Sequence, residues 1–552
     1  MSTLAQLYVD KCTRSADQVA MHYREGDAWV SYRWRDCLRN VAAASESLRA
    51  MGVASGDRVA ILGNPHPRWL TADFATLSLG GVSVGIYPTL RPEAVGYQLR
   101  HSGAKVLLVE DEAQLARLAG AVPEGVVART WEIVGGAEPD MAAFRARVAE
   151  VKPEQPACIF YTSGTTGDPK GAVVTHAAML ATCLASREAI PVEPGDRSIA
   201  FLPLAHSLQR MTAYRALLED ITAWFCGSLD QFPATLQVAR PQVVASVPRM
   251  LEKIKASAEA AVAKQSPLVQ RIFAWGLAVG KERSRLLEEG KPVPPWLALR
   301  WRIADRLVYA KVRQRFGGAL RLFACGGARL DPEVARFFHA MGIGVCEAWG
   351  LTETCAPATL NRPTDFRFGT VGKALPGTEL KLDEDGEVLV RGPGLFSGYW
   401  QDPDATAAAF TPDGFFRTGD VGVLEDGFLR IVDRKKEILV TSGGKNIPPV
   451  NIEKKIEGGA IGQAVVIGND RPYLVALLAP DPEVPCDDRA AYAAARLAAA
   501  NATLAPFEQV KKWAWLPEPL TVESGMLTPT LKLKRRIIEE RYRGVIEGMY
   551  GR

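Results

Sequence analysis

The chain has 552 residues, too many for one hydrophobic core, so at least two domains are expected. Hydrophobic residues make up 47% and charged residues 23%, a globular composition that excludes disordered and fibrous classes. With 66 basic and 62 acidic residues the net charge is +4, which argues against a nucleic-acid partner and leaves room only for a modest attraction to anionic surfaces. The N-terminus, Met1-Ser-Thr-Leu-Ala-Gln, shows no basic region followed by an apolar core, so no signal peptide is expected. No apolar run reaches the roughly 18–20 residues needed to span a bilayer. The nine cysteines form no Cys-x-x-Cys pair, and Cys158, Cys325 and Cys346 sit in apolar runs that read as buried, reduced thiols. A cytoplasmic protein is expected, with a peripheral contact to the inner face of the membrane left open.

Residues 1–150 alternate helical patterns, around 35–51 and 67–80, with short continuous apolar runs at Arg58-Val-Ala-Ile-Leu-Gly63 and Lys105-Val-Leu-Leu-Val-Glu110. Continuous runs alternating with helices predict parallel strands buried on both faces. The pattern resumes with Ala157-Cys-Ile-Phe-Tyr161, Ser198-Ile-Ala-Phe-Leu202, Val243-Val-Ala-Ser-Val247, Leu320-Arg-Leu-Phe-Ala324 and Gly344-Val-Cys-Glu347. Residues of about 250–316 form a basic helical insert, which Pro292, Pro294 and Pro295 should break in two. An amphipathic hairpin packed on the core competes there with a role at a membrane surface or at an acyl entrance. From about 370 the texture becomes short strands with Gly and Asp turns, as in Gly386-Glu-Val-Leu-Val-Arg391 and Gly427-Phe-Leu-Arg-Ile-Val432. The charged joint Asp433-Arg-Lys-Lys-Glu437 then precedes about 115 residues, enough for a small α+β domain. The expected fold is α/β: a large multi-sheet N-terminal domain (1–433) and a small mobile α+β C-terminal domain (437–552), hinged at 433–436.

Six strings carry chemistry. Tyr161-Thr-Ser-Gly-Thr-Thr-Gly-Asp-Pro-Lys-Gly171 places three glycines, four aliphatic hydroxyls and Lys170 just after an apolar strand. Glycines let the backbone turn its N–H groups toward one anion, hydroxyls add donors and the lysine adds charge. It is not a Walker A loop. Cys325-Gly-Gly-Ala328 places adjacent glycines at a strand end, where a backbone can approach a ligand closely. Glu347-Ala-Trp-Gly-Leu-Thr-Glu-Thr354, Phe416-Arg-Thr-Gly-Asp420, Ser442-Gly-Gly-Lys-Asn-Ile447 and Gly525-Met-Leu-Thr-Pro-Thr-Leu-Lys-Leu-Lys-Arg-Arg536 complete the set.

The first string resembles the signature loop of the adenylate-forming superfamily: acyl-CoA synthetases, peptide-synthetase adenylation domains and beetle luciferases. The other motifs follow in the family's order over nearly the whole chain. The resemblance implies that Thr162, Ser163, Gly164, Thr165, Thr166, Gly167 and Lys170 close over the β- and γ-phosphates of ATP. It implies that Gly326, Gly327 and Ala328 line the adenine and acyl sites, joined by Glu347, Ala348, Trp349 and Gly350. Trp349 replaces the family's usual Tyr, keeping a ring to stack on adenine but losing the hydroxyl. Thr352 is expected at the α-phosphate and Glu353 as the Mg²⁺ ligand, a hard cation on a carboxylate. Asp420 and Arg434 match the ribose contacts, Lys436 the hinge pivot, Gly444 and Lys445 the border of the CoA tunnel, and His206 a residue gating or lining the acyl pocket. Lys532 aligns with the catalytic lysine that bridges the attacking carboxylate and the α-phosphate; Lys534, two residues on along a strand, would point elsewhere.

The implied chemistry has two steps. A carboxylate attacks the α-phosphorus of ATP and expels pyrophosphate, giving an acyl-adenylate; the small domain then turns and CoA displaces AMP. Gly85-Ile-Tyr-Pro-Thr89, the insert (with Ser266-Pro-Leu-Val-Gln-Arg271 and Gly290-Lys-Pro-Val-Pro294) and Leu527-Thr-Pro-Thr-Leu-Lys532 resemble bacterial long-chain fatty acyl-CoA synthetases in particular. A ligase loading a carrier protein, a medium-chain or aromatic acyl-CoA ligase, a luciferase-type oxygenase and a non-catalytic binding protein are the competing readings. The expected partners are a small carboxylic acid, ATP, Mg²⁺ and CoA; the oligomeric state, a homodimer included, is left open.

Overall fold

The computed structural model describes residues 2–133, 138–162, 168–442, 445–528 and 530–551. A seven-stranded sheet runs in the order Gly398–Tyr399, Lys170–Thr175, Pro156–Thr162, Val82–Ile86, Arg58–Leu62, Ala104–Val109, Val127–Thr130. Its last five strands are parallel, while Lys170–Thr175 and Gly398–Tyr399 add on antiparallel. The apolar runs at 58–63, 105–110 and 157–161 supply three of its inner strands, and a fourth, Val82–Ile86, is buried at every position. That is what burial on both faces requires.

A second sheet joins Ala28–Arg33, Val19–Glu25, Thr222–Phe225 and Arg197–Ala200. A third runs Val243–Ser246, Leu322–Cys325, Gly344–Trp349, Thr359–Leu360 and Lys373–Ala374, the first three parallel. An antiparallel sheet, Glu379–Leu382, Glu387–Arg391, Phe416–Glu425 and Phe428–Arg434, closes the large part of the molecule. The C-terminal part has its own sheet, Ile461–Ile467, Leu474–Pro480 and Val510–Trp515, packed between helices. Its two apolar clusters contain only residues from Leu439 onward. The other five contain only residues up to Ile431. Among the described residues no apolar cluster spans the joint, so each part keeps its own core.

Two expectations need correction. The insert breaks twice: helices Pro248–Ala263 and Pro267–Glu288 part at Pro267, and the proline-rich turn then leads to Pro295–Ala304, a π-helical turn Asp305–Tyr309 and Ala310–Gln314. Proline at a first helical turn ends the preceding helix as effectively as the later trio does. Lys532 is not on a strand. It closes a tight turn in which Thr528 N–H donates to the Lys532 carbonyl (2.8 Å) and Leu531 has φ of 62°.

Candidate active site

The candidate residues collect where strands end. Thr162 is the last residue of its parallel strand, and Lys170 is paired with it on the antiparallel return. Ser163, Gly164, Thr165, Thr166 and Gly167 lie outside the described residues, but both ends of their loop stand at the sheet's C-terminal edge. Cys325 and Trp349 likewise end parallel strands, with Gly326 and Ala348 close together across the gap. Carboxyl ends of parallel strands form the crevice where open α/β sheets bind ligands.

Lys170 and Glu353 meet through a residue the sequence reading missed. The Lys170 ammonium lies over the ring of Tyr399 (5.0 Å to its centre) and 3.5 Å from Asp402. The Tyr399 hydroxyl donates to Glu353 Oε1 at 2.9 Å. Burial and the Glu353 charge hold that phenol well above the ordinary tyrosine range. Tyr399 reaches the site because Gly398–Tyr399 pairs with Val173 and Ala172, beside Lys170. A two-residue strand carries no periodicity, so only the pairing reveals it.

Asp420 is the second node. It lies opposite Arg434 in an antiparallel ladder, and its Oδ1 accepts Arg434 Nε at 2.7 Å. Its Oδ2 accepts the indole N–H of Trp349, also at 2.7 Å. Tryptophan lacks the hydroxyl of the usual tyrosine, but its N–H ties the aromatic position directly to the carboxylate. Thr352 and Glu353 form a single 3₁₀ turn after Gly350. That turn needs glycine: a Cβ at Gly350 would overlap the Ala356 carbonyl.

Lys532 enters from the C-terminal part. The charges acting on its ammonium are those of Arg434, Asp420, Glu437 and Glu353. Its side chain is enclosed by protein yet still reached by water, the condition of a group lining a cleft. Enclosure, with Arg434, pushes its pKa below the ordinary lysine value against the pull of the three carboxylates. The same ammonium acts on His206, whose pKa is pushed down to about 4, mainly by burial. His206 caps the helix Ser207–Arg215, with Nδ1 accepting Leu208 N–H at 3.1 Å. The neutral ring therefore carries its proton on Nε2, so His206 is a poor candidate for a cation.

A buried frame supports that helix. Arg210 and Asp73 are fully buried; Arg210 Nε donates to the Leu204 carbonyl (2.9 Å), and its guanidinium lies over the rings of Trp69 and Phe160. Gly85 is glycine because a Cβ there would strike Arg210 and the Ala205 backbone. Beyond His206, Gln209, Thr212 and Ala213 of the same helix, with Ala216 just past its end, line a pocket that has Phe74 and Phe225 among its apolar walls.

Some candidates are not brought together. The Glu347 carboxylate is buried, accepts Leu330 N–H at 3.1 Å and keeps its proton up to about pH 8. Its carbonyl accepts Asn361 N–H, so the whole residue serves the sheet. Gly327 and Ala328 are exposed at the cleft rim. Lys436 is exposed just past the strand that ends at Arg434. Lys445 holds its ammonium 5.7 Å from the ring centre of Phe507, among residues of the C-terminal part. Gly444 lies outside the described residues.

A single carboxylate at Glu353, with Oε2 not taken by Tyr399, suits Mg²⁺, which commonly takes one or two protein carboxylates and fills its shell with phosphates and water. Among the described residues the one cluster of three acids, Asp383, Asp385 and Glu387, is tied to Arg417 and Lys435 instead.

Fold and site together define a two-part nucleotide-dependent enzyme, in which a small C-terminal domain delivers a lysine to the strand ends of a large α/β domain. A sequence model of the AMP-binding enzyme family matches residues 9–400, and one of the AMP-binding enzyme C-terminal domain matches 436–552. The chain belongs to the AMP-binding enzyme family. It is 36% identical over 565 residues to the long-chain-fatty-acid–CoA ligase FadD15 of Mycobacterium bovis and to that of Mycobacterium tuberculosis, covering 95% of this chain and 93% of each relative. Among solved structures it resembles the o-succinylbenzoate CoA synthetase MenE of Bacillus subtilis in complex with an acyl-adenylate, with a TM-score of 0.73, 21% identity and 97% of both chains covered. At that identity the likeness shows the fold.

Proposed function

We propose that this enzyme activates a long-chain fatty acid with ATP and Mg²⁺ and then transfers the acyl group to CoA, releasing pyrophosphate and AMP. The observation that carries the reading is the convergence of Lys532 from one domain with Glu353, Asp420 and Arg434 from the other. Lys170 and its glycine-rich loop would bind the β- and γ-phosphates. Thr352 would contact the α-phosphate, and Trp349, beside the Gly326–Ala328 turn, would stack on adenine. Asp420 and Arg434 would exchange part of their mutual bonding for the ribose hydroxyls. Glu353 would hold Mg²⁺, which when bound neutralises phosphate charge. Lys532 would bridge the substrate carboxylate and the α-phosphate, stabilising charge as the P–O bond to pyrophosphate breaks.

The acyl chain would pass His206 into the cavity beside Ala213 and Ala216. Each buried CH₂ is worth about 0.8 kcal/mol, so the usable depth would set chain preference. For the second step the C-terminal domain, from 437, would turn about Lys436 within the 433–436 joint and bring Gly444 and Lys445 to CoA. A cytoplasmic location fits nine free thiols, eight of them buried.

The test is pyrophosphate release across a panel of carboxylic acids, followed by thioester formation with CoA or with a carrier protein. Long-chain acids and CoA should be preferred. Lys532→Ala should lower pyrophosphate release about 10²–10³-fold, the range for removing a charge-stabilising donor. Unchanged adenylation in that variant would refute the assignment.

A further inference from the structure

The third and fourth pieces of the insert expose an apolar stripe that the fold does not use. Trp296, Leu299, Ile303 and Leu307 are 51%, 60%, 44% and 47% exposed. Their spacing of three and four residues puts them along one line of the helix Pro295–Ala304 and the π turn that follows. The opposite line, Leu297, Ala304, Val308 and Tyr309, is buried in the core. The helix is thus docked by one face and presents a second apolar face outward. Contiguous apolar surface of this kind marks an interaction site, whereas scattered single residues do not.

Charge says what the partner is. At 100° per residue Arg300 falls on one side of the stripe and Arg302 and Arg306 on the other. All three are exposed, and Lys311 and Arg315 extend the basic run. Arg300 lies over the rings of Trp296 and Trp275, which holds it at the stripe's edge. The only acid from 291 to 315, Asp305, is engaged by Arg313 at 2.6 Å. A second copy docked by a two-fold axis would set these arginines against one another, a like-charge cost that no acid within 291–315 relieves.

We propose that the face Trp296–Leu307 seats this enzyme on an anionic lipid bilayer, with the apolar stripe in the acyl–headgroup boundary and the flanking arginines on lipid phosphates. No helix among the described residues is long and apolar enough to cross a membrane, so the contact is peripheral. It needs neither ATP nor acyl activation.

The experiment is co-sedimentation of the full chain with phosphatidylcholine vesicles and with phosphatidylcholine–phosphatidylglycerol vesicles, at low and at about 0.5 M salt. Binding should favour the anionic vesicles and weaken with salt. Leu299→Glu/Ile303→Glu and Arg302→Glu/Arg306→Glu should each weaken it about tenfold or more while keeping the thermal midpoint and activity on a water-soluble short-chain acid. Should the first pair fail to fold, Leu299→Ser takes its place with the same expected direction. The proposal falls if the parent protein ignores anionic vesicles, if it binds neutral ones equally well, or if both charge-reversed and stripe variants bind like the parent. It also falls if light scattering shows a dimer that the stripe variants dissolve.

Discussion

Asp420 is shared by a guanidinium and an indole, both at 2.7 Å, and this makes Trp349 more than a stacking surface. A hydrogen bond to a charged acceptor is worth about 1.5–3 kcal/mol, so Trp349→Phe, which keeps a ring, should raise the KM for ATP roughly tenfold or more. Its effect on kcat should be smaller, since in the proposed binding mode the ring would still stack on adenine. Steady-state kinetics with varied ATP checks this, and an unchanged KM would mean Arg434 alone orients Asp420. Asp420 and Arg434 are singled out by the sequence because each stands in a motif. The Trp349 bond is not, because it joins residues 71 positions apart. Tyr399 escapes for the same reason: it matters through Lys170 and Glu353, and both are distant in the chain.

At the scale of elements, the 350–356 turn and the helix Ser207–Arg215 do most of the positioning. Cys355 and Ala356 both have positive φ, at 55° and 93°, in a turn that folds back onto Gly350. Gly350→Ala must push the Ala356 backbone away, displacing Thr352 and Glu353. We expect pyrophosphate release to fall at least tenfold and stability by about 1–3 kcal/mol, measured by turnover and urea unfolding. The Ser207–Arg215 helix carries His206 at its start and the cavity wall along its length. Ala213→Trp should fill part of that cavity and move the optimum of the chain-length panel to shorter acids, leaving the KM for ATP unaltered. A uniform loss across all lengths would place the tail elsewhere.

For the whole molecule, the two domains touch through polar surface pairs. Lys253 meets Glu483 at 2.7 Å, Lys454 meets Glu252 at 3.6 Å, and Arg91 donates to the Glu523 carbonyl. Surface and half-buried pairs of this kind contribute about 0–1 kcal/mol each, so this arrangement is held lightly, as the rotation proposed above would need. Stability against acid is also a global property. His66, His176, His206 and His339 are each pushed down to about 4 by burial. Above pH 6.5 these rings are neutral folded or unfolded. Between 6.5 and 4 the unfolded chain takes up protons that the folded chain refuses, so stability falls as pH falls through that window. Glu347 works the other way. Its folded value of about 8 means the folded chain keeps a proton that the unfolded chain loses near 4.5, so it costs stability as pH rises between them. His176 is fully buried with neither ring nitrogen hydrogen-bonded. His176→Leu should therefore shrink the stability difference between pH 7 and pH 5 by about 2 kcal/mol, read from urea unfolding at both.

The amino-acid sequence alone determined the longer apolar strands, the order of the motifs and the family. Apolar runs such as those at 58–63 and 105–110 can be buried only one way, and a string as dense as 161–171 has few uses. It misjudged the insert, where Pro267 breaks a second helix boundary, and the backbone of Lys532, where a turn replaces a strand. What the tertiary structure alone decided is where groups far apart in the chain meet: Tyr399 between Lys170 and Glu353, Trp349 on Asp420, Lys532 within the field of both. It also decided which apolar side chains stay outside. The residues from Trp296 to Leu307 alternate between core and solvent by helix geometry, and composition cannot say which face the fold will cover.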